Sequence, residues 1–146
     1  MREEGDSAAV AVVHAFQQMK RIGYQLENVS LHYRGNQGLD LIFRTANGEL
    51  AIVTTPTYAV VEAKHGKGLE SLSRDSLGRV QGSPAYNLHR LEMYLEQGDR
   101  SHIAFAEKLY DLAERRQLRS YATFYGTKSV YEFKEENKQL KAVFDP

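Results

Sequence analysis

The chain has 146 residues, 42% of them hydrophobic and 26% charged, the make-up of one globular domain (positions 1–146) rather than of a disordered chain. It has no cysteine, which excludes a disulfide scaffold and a thiolate zinc site, and no stretch reaches membrane length or opens as a signal peptide. Nineteen basic residues balance nineteen acidic ones, which argues against a sequence-independent nucleic-acid coat but not against an enzyme whose cleft focuses charge locally.

Asp6-Ser7 reads as a helix start, and Val12, Val13, Phe16 and Met19 recur at helical spacing until Gly23. That stripe is expected to lie on a sheet. Glu3, Glu4 and Asp6 stand at or before the first turn, where the helix dipole favours carboxylates. Positions 24–33 read as one strand with Leu26, Val29 and Leu31 inward and Glu27 on a solvated face. Gly35-Asn36-Gln37-Gly38-Leu39-Asp40 then leads into Leu41-Ile42-Phe43, a strand over about 40–44. Asn47-Gly48 predicts a hairpin turn, Ile52-Val53 a further apolar run, and Pro56 an interruption.

Tyr58-Ala59-Val60-Val61-Glu62-Ala63-Lys64 is apolar on both alternating faces, as in a strand covered on both sides. Glu62 and Lys64 are therefore costly where they stand, because such residues are seldom buried unless paired or functional. Alternation points both to one face, about 6.5 Å apart along the strand. If the 40–44 strand is its neighbour, Asp40 and Glu62 converge with the ammonium of Lys64. Two carboxylates with open positions suit Mg²⁺, with Mn²⁺ or Zn²⁺ as substitutes, and Lys64 would hold an attacking water or neutralise charge on a phosphorane. The bland alternative is an ion pair on an edge strand, since Glu-X-Lys alone is a weak signal.

Positions 66–82 hold four glycines and three serines and read as a mobile loop whose Lys67, Arg74 and Arg79 suit phosphate contacts. Ser83-Pro84 opens a helix bearing Leu88, Leu91 and Leu95 and closing near Gly98. Gln81 stands just ahead of it, and Tyr86 in its first turn is a candidate for stacking on a base or sugar. Ser101 reads as the cap of a further helix with Ile103, Ala106, Leu109, Tyr110 and Ala113 on one side, ended by Arg115, Arg116 and Arg119. Tyr121, Thr123 and Tyr125 alternate as a strand, Gly126-Thr127 turns, 130–133 returns, and 140–144 adds an edge. Glu132 and Lys134 repeat the Glu-X-Lys spacing and are expected to be exposed.

Asp40, then Glu62-Ala63-Lys64 after an apolar run, resembles the PD-(D/E)XK nuclease superfamily, and most closely the C-terminal toxin domains of bacterial contact-dependent inhibition and related polymorphic toxin systems. Gly35 to Asp40, Val60 to Gly66 and Gln81-Gly82-Ser83-Pro84-Ala85-Tyr86 carry the likeness, over positions 20–95, although the family has a bulkier residue where Gly82 stands and often Trp in place of Tyr86. The resemblance implies an α/β (α+β), restriction-endonuclease-like three-layer fold with a central mixed β-sheet flanked by helices. It implies Asp40 and Glu62 as metal ligands and Lys64 as catalytic partner, with Glu4 as an extra acid on the first helix (Glu3 and Asp6 its rivals) and Gln81 as a polar residue near the site. It also implies a toxin that cuts DNA, or alternatively tRNA. Such a toxin is secreted as part of a larger polypeptide, acts in the target-cell cytoplasm, and is neutralised by a cognate immunity protein. Two other classes remain beside it: a metal-free nuclease using His65 and His89, and a non-catalytic nucleic-acid-binding module.

Overall fold

The computed structural model describes residues 2–34, 37–45, 56–68, 71–134 and 140–142; for 2–7 and 140–142 only the helix or strand they belong to is described. The expected turn at Asn47-Gly48 and the apolar run Ile52-Val53 lie outside the described residues.

The four buried residues at the start of the site strand set the layers. Tyr58, Ala59, Val60 and Val61 are all buried, so the strand needs cover on both faces, and it has it. In chain order the elements are α1 (Arg2–Arg21), β1 (Tyr24–Leu26), β2 (Leu31–Arg34), β3 (Gln37–Leu39), β4 (Leu41–Thr45), β5 (Tyr58–Lys64), α2 (Pro84–Gln97), α3 (Ile103–Glu114), β6 (Arg119–Phe124), β7 (Ser129–Phe133) and β8 (Leu140–Ala142). Six strands form one mixed sheet in the order β1-β4-β5-β6-β7-β8, with β2 and β3 paired apart from it. Among the described strands only β5 and β6 run parallel, and a parallel pair requires a long crossover, which α2 and α3 supply. The helix pair packs Leu91, Tyr94, Ala106 and Leu109 on Ile42 and Val60. On the opposite face α1 packs Ala15 and Met19 on Phe43, Ala59, Val61 and Tyr121. The expected mixed α/β architecture, a central mixed sheet flanked by helices, is what the chain adopts.

Several local expectations need correction. The α1 stripe is turned from the expected one: Ala11, His14, Ala15 and Met19 are buried, whereas Val13 is 53% and Phe16 37% exposed. Small alanines let the helix backbone come close to the sheet, and Phe16 reaches down its flank to meet Phe43 edge-on at 5.9 Å. The segment 24–33 is two strands in two sheets, and Glu27 pairs with Arg44 at 2.7 Å instead of facing water alone. Asp99 caps the turn before α3, accepting from the Ser101 N–H, so Ser101 is not the cap; Arg119 belongs to β6. The loop after β5 is packed in its described part. Leu72 and Val80 are buried against Ala122, Phe124 and Phe133, and a bridge joins Arg74 to Val80. Glu132 is 8% exposed and bonded to Arg119 and Lys134, so the second Glu-X-Lys pair is not an exposed one.

Candidate active site

Register decides which side chains meet. Leu41 lies opposite Val61 and Ile42 opposite Val60, so the next rung sets Asp40 beside Glu62. Facing residues on such a pair stand about 5 Å apart at Cβ. Ile42 and Val60 face the helix pair, and alternation puts Asp40, Glu62 and Lys64 on that same face. The two acids are thus on one side of the sheet, at the end of β5 where the strand loses its burial.

The two carboxylates differ in setting. Asp40, between β3 and β4, is 70% exposed and is bonded to the imidazole Nε2 of His32, while Ser30 Oγ donates to its backbone carbonyl at 3.2 Å. Glu62 is 26% exposed, with Lys64 Nζ 3.6 Å from its Oε1. Burial raises the Glu62 pKa above the usual glutamate value; the Lys64 ammonium opposes that, and the Asp40 charge adds to it. Glu62 is therefore held partly out of water beside another acid.

Two glycines make the geometry possible. Gly38, at φ +144, lies opposite His32, and a Cβ there would come within 1.9 Å of the Leu31 carbonyl oxygen. Only glycine permits β3 to lie so close to β2, and that closeness brings His32 to Asp40. Gly82, at φ +86, packs over Glu62, whose Cβ a side chain at 82 would meet at 2.8 Å. Its carbonyl accepts from Asn87 Nδ2 at 3.1 Å, and Asn87 also donates to Ser120, which ties α2 to β6 beneath.

The other expected site residues are placed as follows. Gln81 adjoins the glycine over Glu62, with its side chain accepting from Ser73 Oγ at 3.2 Å. Tyr86 is half-buried on α2, close enough to Glu62 for that charge, after burial itself, to help hold its hydroxyl protonated. Lys67 is exposed. Arg74 donates to the Gly78 carbonyl, and Arg79 is paired with Asp75 at 2.6 Å, so its charge is already answered. The side chains of Glu3, Glu4 and Asp6 lie outside the described ones; the helix that carries them packs on the face opposite Glu62. His65 lies against Tyr125 with His14 on the α1 side of the sheet, whereas His89 lines a groove beside Arg116 and Arg119. Those two histidines do not meet. That groove, of about 1190 Å³, is lined by none of Asp40, Glu62 or Lys64.

Three residues at the site were not among the expected site residues: His32 on Asp40, and Tyr33 and Arg90, which bond to one another. Arg90 stands four residues after Tyr86 on α2, a spacing that pairs side chains on a helix and was readable; the β2–β3 hairpin that brings in His32 and Tyr33 was not. Asp40 and Glu62 offer only oxygen donors with open positions, which fits a hard divalent ion retaining several waters. Among the described residues no group of three or more His, Cys, Asp or Glu side chains is set to hold a metal together. Compared with protein-family models, with curated proteins and with solved structures, the chain finds no match.

Proposed function

We propose that this chain is a restriction-endonuclease-like, metal-dependent nuclease domain that hydrolyses phosphodiester bonds, with DNA as first substrate and tRNA as the alternative. The observation that carries the reading is the register of β4 on β5, which sets Asp40 beside Glu62 on one face with Lys64 3.6 Å from Glu62. Three layers, a helix, a mixed sheet and a helix pair, agree with it.

Asp40 and Glu62 would hold the ion, and His32 would keep the exposed Asp40 carboxylate in place. When bound, Mg²⁺ supplies polarisation of the scissile phosphate and a more acidic attacking water. Lys64 Nζ donates a hydrogen bond to the phosphate oxygen on which charge grows, or to that water, and its ion pair with Glu62 keeps it aimed along the strand face. The helix pair and Gly82 exclude water from the inner side of Glu62, which strengthens each of these interactions. The likeness of the motifs to contact-dependent toxins extends the proposal to delivery into competing bacteria and neutralisation by a cognate immunity protein.

The test is incubation of the purified domain with plasmid DNA and total tRNA, with and without Mg²⁺, beside Lys64→Ala. Degradation of one pool that needs both metal and lysine is expected. Cleavage that survives EDTA or the lysine variant refutes the mechanism, and a biological effect unchanged by Asp40→Ala and Glu62→Ala leaves a binding module.

A further inference from the structure

Arg90 is half-buried on α2, and none of the described carboxylates pairs with it. It is bonded to two tyrosines instead: Nη1 donates to the Tyr33 hydroxyl and Nη2 to the Tyr86 hydroxyl at 2.6 Å, with the guanidinium carbon 4.5 Å from the centre of the Tyr86 ring. Its Nε–H is buried without a partner. A buried guanidinium commonly has an anion beside it, because desolvating the cation alone is costly.

The donor inventory shows what is missing. A guanidinium has five N–H donors, and the tyrosines take two. Each tyrosine oxygen that accepts from Arg90 keeps its own O–H to donate. The cluster therefore presents N–H and O–H donors and a positive charge, and offers little to a donor. Its ligand is an anion with several acceptor oxygens.

Its position gives the source of that anion. Tyr33 follows His32, which holds Asp40, and Tyr86 stands four residues after Gly82, which packs on Glu62. Arg90 thus bridges the supports of both acids, and its charge reaches Glu62. We propose that Arg90, clamped by Tyr33 and Tyr86, forms a phosphate-binding cradle beside Asp40, Glu62 and Lys64 that receives a backbone phosphodiester of the strand being cut. The proposal rests on the nuclease reading for its ligand, and on the donor set for its chemistry.

The test is fluorescence anisotropy of a labelled single-stranded DNA oligonucleotide in EDTA, so that nothing is cut, over a series of salt concentrations. Arg90→Gln is expected to weaken binding about tenfold and to lower the slope of log K against log [salt] by about 0.7, one phosphate contact on a single strand. Arg90→Lys keeps the slope but loses affinity. Tyr33→Phe with Tyr86→Phe retains both rings and the charge, so binding weakens severalfold at an unchanged slope. Wild-type affinity and slope in a folded Arg90→Gln overturn the cradle; if that variant does not fold, unchanged binding by the double phenylalanine variant does so. Stabilisation of the wild type by inorganic phosphate, lost in Arg90→Gln while oligonucleotide binding is untouched, marks a free-anion site and overturns the strand assignment. Arg90-dependent binding in a protein that cuts nothing with Mg²⁺ sinks the nuclease reading but keeps the cradle. Lys64-dependent cleavage with Arg90-independent binding does the reverse.

Discussion

Glu62 is the residue at which stability and activity should oppose each other, and Glu62→Gln measures the conflict. Burial raises its pKa more than Lys64 at 3.6 Å lowers it, and the Asp40 charge pushes the same way as burial. The folded protein therefore holds the Glu62 proton more tightly than the unfolded chain does. Stability from this group is whole below the ordinary glutamate value of 4.5 and is lost as pH rises through the higher folded-state pKa. An amide of the same shape is free of that loss. Lys64 loses its carboxylate in the variant, but with 27% of its side chain exposed it can turn to water at small cost. Relief of strained polar groups at functional sites typically gives about 1 kcal/mol, or about 3 °C in Tm for a domain of this size. Without metal, Glu62→Gln should melt about 3 °C above the wild type at pH 7.5, and the gap should close towards pH 4.5. Mg²⁺ should raise the melting temperature of the wild type and leave that of the variant unmoved. Thermal melts by circular dichroism across this pH range, with EDTA or Mg²⁺, make the measurement. A variant that melts below the wild type at pH 7.5, or a gap independent of pH, would refute the account of Glu62.

Gly38→Ala meets the Leu31 carbonyl oxygen at 1.9 Å and a φ of +144, so it should cost about 3 kcal/mol in urea denaturation and weaken Mg²⁺ binding by calorimetry through displacement of Asp40. Leu91→Ala empties a fully buried position between α2 and the sheet and should cost about 3 kcal/mol, with the midpoint shifting at constant m-value. His14 is buried with an unpartnered Nδ1, and burial, helped by Lys128, lowers its pKa below 6.5. Its stability is present above pH 6.5 and is lost as pH falls towards the lowered folded value, so His14→Gln should flatten the decline in Tm between pH 7 and pH 5. An equally steep decline in that variant would assign the acid sensitivity to another group.

The local chemistry of this chain is legible in its sequence wherever a short-range rule decides. The Ser83-Pro84 cap opens α2 as expected, because a hydroxyl acceptor followed by a residue without an N–H satisfies a helix start whatever surrounds it. The run Tyr58-Ala59-Val60-Val61 announces a strand covered on both faces, and alternation along it sets Glu62 and Lys64 on one side. What sequence does not carry is the choice among partners that satisfy the same pattern. The apolar stripe of α1 could turn either way, and the closeness of alanine to the sheet, not the bulk of Val13 and Phe16, chose Ala11, Ala15 and Met19. The Glu-X-Lys spacing recurs in the chain, and strand position alone separates the two described occurrences: Glu62 stands beside Asp40, whereas Glu132 on β7 is taken by Arg119 and Lys134. His32, Tyr33 and Arg90 join the site only because β2 and β3 fold apart from the main sheet and lean on α2. Contacts between residues 50 or more positions apart arise from packing free energy summed over the whole core, and no window of the sequence contains that sum.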